Sequence, residues 1–161
     1  LVGRGPHRDR VRAALAEAKL GRRFHWLSAL PFAANVFHEF DLYVLPSRYE
    51  GGPYTPLEAM RAGTPVVLTD VAGNADTVED GVSGLLVGMD DSKALGDAIA
   101  YLMSDRQRRE AIVEAAHRRL AAKFDVRTMG QETARVYEEL VDSRRLTAGS
   151  RRGGVRELAV R

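Results

Sequence analysis

Two rhythms of apolar and polar positions alternate along the 161 residues. Nearly continuous apolar runs at Asp41-Leu42-Tyr43-Val44-Leu45-Pro46, Pro65-Val66-Val67-Leu68-Thr69 and Leu85-Leu86-Val87 have the length of strands covered on both faces. Around them the spacing turns helical. Val11, Ala14, Leu15 and Ala18 share one face of a helix that follows the turn Gly3-Arg4-Gly5-Pro6 and stops at Gly21. Leu1-Val2 reads as the end of a strand, Phe24 to Leu27 as a short strand, and Phe32 to Phe40 as a short helix behind Pro31. A helix is predicted from Pro56 to about Ala62, capped by Gly63, and one helical turn near Asp76 to Glu79. Three helices close the pattern, starting near Asp91 or Ser92, at Asp105 and at Asp125, with acids suited to N-caps. Their inward positions are predicted as Leu95, Ala98, Ile99 and Leu102; Ile112, Ala115, Ala116 and Leu120; and Met129, Val136, Tyr137 and Leu140.

Strands alternating with crossover helices define an α/β fold: a Rossmann-like parallel sheet with helices on both faces. Composition supports one folded unit, with 45% apolar and 29% charged residues. Of the net charge of +2, the stretch from Ser143 carries six arginines against Glu157 alone, or +5, leaving −3 on residues 1–142. The expected organisation is therefore a domain over 1–142, incomplete at its N-terminus, and a basic disordered tail over 143–161. The tail lacks interleaved aromatics, so a solvated tail is expected rather than a nucleic-acid arm, with peripheral membrane contact as the second option. No apolar run is long enough to span a bilayer and no leader is visible, so the expected compartment is the cytoplasm.

The chain has no cysteine, which excludes disulfide scaffolds and thiolate chemistry, and its four histidines are scattered, so no metal site is expected. His25 and His38, set among apolar residues, read as half-buried scaffold. Three nucleotide and nucleophile fingerprints fail. Arg8 occupies the third glycine position after Gly3-Arg4-Gly5, no glycine precedes a lysine, and Ser83 is followed two residues on by Leu85. The informative segment is Glu50-Gly51-Gly52-Pro53-Tyr54-Thr55-Pro56-Leu57-Glu58, a loop between a buried strand and a helix. Such loops line the ligand crevice of doubly wound sheets. Gly51 and Gly52 let the backbone approach a ligand, and the helix start presents its positive end to an anion. Glu50 and Glu58 offer carboxylates to sugar hydroxyls.

Here the sequence resembles the C-terminal, donor-binding domain of the retaining GT-B glycosyltransferases of group 1 (family 4). The resemblance runs from about Leu1 to Val141. It rests on Glu50 and Glu58 spaced as Glu-x7-Glu, continued by Ala59-Met60-Arg61-Ala62-Gly63-Thr64-Pro65-Val66-Val67. Flanking blocks are Asp41-Leu42-Tyr43-Val44-Leu45-Pro46-Ser47, Gly73-Asn74 and Glu79-Asp80-Gly81-Val82-Ser83-Gly84-Leu85-Leu86-Val87. The resemblance implies transfer of a sugar from a nucleoside diphosphate sugar to a hydroxyl acceptor with retained configuration, without cofactor or essential metal. It implies that Glu58 binds the ribose and that Leu30 meets the base through its main chain. Glu50 would act at the catalytic centre, holding the donor sugar and phosphate together with Gly51, Gly52, Pro53, Tyr54 and Thr55. The family usually has a large apolar residue where this chain has Gly52, and its diphosphate-gripping cations and acceptor domain would lie upstream of Leu1. The chain alone is then expected to be inactive.

Plainer readings stand beside these. Thr55-Pro56-Leu57-Glu58 fits a capping box with Thr55 as N-cap, Pro56 at N1 and Glu58 at N3. Asp76 reads as a helix-start acid, Arg48 as an exposed arginine, and Tyr54 either packs on a sugar or plugs the loop. A non-catalytic nucleotide-sugar-binding module is the alternative function.

Overall fold

The computed structural model describes the backbone of residues 1–153 and the side chains of residues 1–142. Its centre is a three-stranded parallel sheet, β1 (Tyr43–Leu45), β2 (Val66–Thr69) and β3 (Leu85–Val87), in spatial order β1-β2-β3. Tyr43 pairs with Val66 and Leu45 with Leu68, while Val67 pairs with Leu85 and Thr69 with Val87. The crossovers carry α2 (Tyr54–Arg61) and α3 (Ala72–Thr77). An earlier helix, α1 (Arg8–Glu17), precedes the sheet; α4 (Ser92–Met103), α5 (Arg106–Lys123) and α6 (Val126–Gly153) follow it.

The central strand explains the two-sided core. All four residues of β2 are buried, and their side chains alternate in direction. Val66 and Leu68 pack with Phe37, Ala59, Met60, Val78 and Ala116, while Val67 packs with Val87, Leu102 and Ile112. Helix α2 thus covers one face and α4 the other, and α5 supplies Ala116 to the first cluster and Ile112 to the second. The expected fold class is the observed one.

Helix ends follow local chemistry. Asp91 accepts from the Ala94 N–H at 2.8 Å, Asp105 from Arg108 at 3.1 Å, and Asp125 from Arg127 and Thr128 at 2.9 and 3.2 Å. Gly63 ends α2 at φ 81°, with the Gly63 N–H on Met60 O and the Thr64 N–H on Ala59 O, the paired bonds of a Schellman motif.

Several expectations are corrected. Leu1-Val2 and Phe24 to Leu27 form only one parallel bridge, Val2 to Leu27, outside the sheet. Phe32 to Phe40 is two 3₁₀ turns, Ala33–Asn35 and Phe37–Glu39, rather than one helix. α1 ends before Gly21, because Lys19 already turns to φ 50°. α3 begins at Ala72, so Asp76 lies near its end and not its start. His25 and His38 are exposed. On α6, Met129, Val136, Tyr137 and Leu140 are all at least half exposed instead of inward. Their helical spacing is real, but the face they form stays exposed. α6 also continues to Gly153, so the backbone of 143–153 is helical where a disordered tail was expected; residues 154–161 lie outside the described residues.

Candidate donor-binding site

The three parallel strands end at Leu45, Thr69 and Val87, and the segment Pro46 to Pro53 leaves that edge before α2. A chain of hydrogen bonds fixes it. The Asn74 amide, fully buried, donates to Thr69 O at 2.9 Å; Thr69 Oγ1 donates to Ser47 O at 2.5 Å; Ser47 Oγ donates to Glu50 Oε1 at 2.6 Å. Glu50 is held from its main chain as well, since its carbonyl accepts from the Gly73 N–H at 3.1 Å. Gly73 comes so close that a Cβ there would lie 2.6 Å from both Glu50 O and Gly52 N. The start of α3 is thus the back wall of the loop. The sequence singles out Gly73-Asn74 as a motif, but neither the close approach nor the buried amide is visible in it.

The capping box is not formed. α2 begins at Tyr54, with Pro53 as N-cap in extended backbone (φ −73°, ψ 131°) and no side-chain cap bond. Pro56 is then the third helical residue, still among the first-turn positions whose N–H lacks an intrahelical acceptor, so the ring is tolerated there. Thr55 is drawn elsewhere: its Oγ1 accepts from the Tyr43 hydroxyl at 2.8 Å. Glu58, half-buried, therefore has no capping task, and no described side chain bonds to it.

Tyr43 is the residue that sequence reasoning missed. It reads there as a strand position only, yet its phenol sits where both carboxylates are felt. Burial first, and then the negative charges of Glu50 and Glu58, push the phenol above its ordinary value of 10.0, against the Thr55 contact that lowers it.

The remaining expected residues divide. Gly51 and Gly52 are exposed, and their N–H groups have no acceptor among the described residues. Tyr54 is 78% exposed and does not plug the loop. Arg48 is exposed, as expected, and reaches from the loop after β1 to Asp90 after β3, with Nη2 2.8 Å from Oδ1. A cavity of about 220 Å³ opens between Pro46, Thr69, Val87, Asp90, Asp91 and Leu95. Leu30 stays half-buried in the connection after Leu27, and no hydrogen bond joins it to the loop. Among the described residues no three His, Asp or Glu side chains converge in a way that could hold a metal ion. No helix among them is long and apolar enough to cross a membrane.

A two-faced parallel sheet whose strand–loop–helix edge carries two carboxylates and free glycine amides defines a Rossmann-like α/β class of domain. The family model for glycosyl transferases group 1 matches residues 1–119, and the chain belongs to that family. It is 35% identical over 142 residues to the lipopolysaccharide core biosynthesis mannosyltransferase LpsB of Rhizobium meliloti, covering 85% of this chain and 40% of that protein. It is also 35% identical to the 2-deoxystreptamine N-acetyl-D-glucosaminyltransferase of Streptomyces fradiae, over 96% of this chain and 35% of the relative. Among solved structures, Anabaena HepE in complex with UDP-glucose superposes with a TM-score of 0.78 at 26% identity, over 86% of this chain and 40% of that one. The chain therefore spans 35–40% of the length of these relatives.

Proposed function

We propose that this domain binds the donor of a retaining glycosyltransferase, a nucleoside diphosphate sugar, at the loop from Glu50 to Glu58. The observation that carries the reading is the state of the two acids. Glu50 is clamped from both its main chain and its side chain, whereas Glu58 is half-buried without a partner, one helical turn into α2. A clamped acid suits a fixed position against the sugar. An unpartnered, half-desolvated one suits the ribose hydroxyls, which would satisfy it.

The chemistry follows from charge. As the bond from the anomeric carbon to the diphosphate oxygen breaks, negative charge gathers on the leaving group, while the acceptor oxygen bonds the same carbon and releases its proton. The N–H groups of Gly51 and Gly52 and the positive start of α2 are fixed dipoles that would face this charge without reorganising. HepE, seen with UDP-glucose, shares this fold over most of this chain and supports a uridine or similar donor. The acceptor would be a hydroxyl compound held by parts of the full-length protein other than this domain.

The test is donor titration of the full-length protein by calorimetry. Glu58→Ala should weaken donor binding at least tenfold, and Glu58→Gln should retain more of it by keeping hydrogen-bonding groups in place. Unchanged affinity in a Glu58→Ala protein with unchanged denaturation midpoint would remove Glu58 from the site.

A further inference from the structure

The hydroxyl of Ser47 is not needed for the course of the loop. That course is already held through main-chain acceptors: Thr69 Oγ1 donates to Ser47 O at 2.5 Å, and the Gly73 N–H donates to Glu50 O at 3.1 Å. The Ser47 hydroxyl is left over. It donates to Glu50 Oε1 at 2.6 Å, within the range of a charge-assisted bond. The buried hydroxyls of Thr64, Thr77 and Ser83 all bond main-chain groups instead.

What stands behind Ser47 is rigid. Thr69 closes β2 and is 4% exposed, while Asn74 is fully buried in α3 and donates to Thr69 O at 2.9 Å. Asn74 Oδ1 has no hydrogen-bond partner, a standing cost for a buried oxygen. The amide nitrogen is therefore what this position uses, and it is aimed at the strand end that holds Ser47. Glu50 lies at the other extreme, half-buried in a loop with two exposed glycines after it. Its side chain is long and rich in rotamers, and that freedom must be given up when it grips a ligand. The Ser47 bond removes the freedom in advance, while Oε2 keeps no hydrogen bond among the described residues.

We propose that Ser47 is a positioning residue for the donor sugar. It presets the Glu50 carboxylate, and thereby sets the preference of the site for a nucleoside diphosphate sugar over the bare nucleoside diphosphate that transfer leaves behind. The proposal rests on the donor reading above, in which Glu50 faces the sugar while the loop amides and Glu58 face the diphosphate and ribose. A preset carboxylate strengthens only the contacts to the sugar. A diphosphate without its sugar does not meet Glu50, so its affinity is independent of Ser47. One hydroxyl thus helps the site hold its donor and release its spent product.

The full-length protein is titrated calorimetrically with UDP-glucose, UDP-N-acetylglucosamine and GDP-mannose, which bracket the sugars named for its relatives. The tightest of the three is carried forward together with its own nucleoside diphosphate. Ser47→Ala should weaken the donor about fivefold or more and leave the bare diphosphate within about twofold. Ser47→Thr, which keeps the hydroxyl, should retain both affinities. Glu50→Ala should lose the preference for the donor, and adding Ser47→Ala to it should change nothing further, because Ser47 acts through Glu50. Equal loss of both ligands in Ser47→Ala would make Ser47 a residue of the fold. The same further loss in the Glu50→Ala background would give it a role apart from Glu50. Either result overturns the proposal, as does an unchanged donor affinity in Ser47→Ala when Glu50→Ala has lost it. The donor reading fails on different results, and takes this proposal with it: no binding of any of the three donors, or a preference untouched by Glu50→Ala.

Discussion

At the residue scale, Gly73 carries the sharpest steric demand in the site. A methyl group there would meet Glu50 O and Gly52 N at 2.6 Å, and both are backbone atoms that cannot rotate away. Gly73→Ala should therefore push the loop outward, destabilise the fold by about 1–3 kcal/mol as overpacking does, and weaken donor binding; urea denaturation and donor titration measure the two effects. Tyr43 offers a test of a different kind. Because its folded pKa is raised above the ordinary 10.0, the unfolded chain loses this proton first as pH rises. The group leaves stability unchanged below pH 10 and lowers it as pH climbs from there through the folded value. Tyr43→Phe should abolish that part of the alkaline loss. It should also lower stability near neutrality by about 1 kcal/mol through loss of the bond to Thr55. Denaturation midpoints of both proteins at pH 8, 10 and 11 decide this. A phenol that feels two acids could not be read from Asp41-Leu42-Tyr43-Val44-Leu45, where Tyr43 is one more apolar position.

At the scale of elements, α2 joins the site to the core. Its apolar side, Ala59 and Met60, is wholly buried against β2, while Glu58 just before them stays half-buried. Two substitutions should separate the forces that hold it. Met60→Ala removes buried volume and should cost about 2–5 kcal/mol. Gly63→Ala leaves the packing alone, since its Cβ would sit 3.9 Å from Val113 Cγ1, but forces φ 81° on an L side chain, at about 1–2 kcal/mol. Thermal unfolding of the pair should therefore rank Met60→Ala as the more severe. The ends of α2, α4 and α5 were legible in the sequence to within two residues, because Gly63, Asp91 and Asp105 act on their own neighbours through short-range bonds. The capping box at Thr55 was misleading for the same reason. Its local signal is sound, but a tertiary partner, the Tyr43 hydroxyl, takes the threonine and Pro53 begins the helix instead. In α6 the apolar period is equally sound, yet its apolar side chains stay exposed, and periodicity cannot say whether a partner surface stands opposite.

For the whole molecule, charge and burial are set apart. The sheet and its two covering layers hold the apolar mass, whereas the +5 from Ser143 onward lies beyond residues that carry −3. Removing residues 143–161 should leave donor affinity within tenfold, about 1.4 kcal/mol, because no residue of the Glu50–Glu58 loop lies in that stretch; a larger loss on titrating the shortened protein would assign the tail to the site. The parallel architecture itself was readable from the chain, since strands covered on both faces must be apolar at successive positions, as Val66, Val67 and Leu68 are. The order Glu50, glycines, helix, Glu58 was readable too, because it is contiguous and its spacing is a property of one short segment. What joins that segment to the rest was not. Gly73 behind Glu50, the buried Asn74 amide, the path through Thr69 and Ser47, and the Tyr43 phenol on Thr55 bring together residues of two strands and the starts of two helices. Short-range bonding and apolar period are written along the chain, whereas a contact between distant segments exists only once packing has chosen which side chains meet.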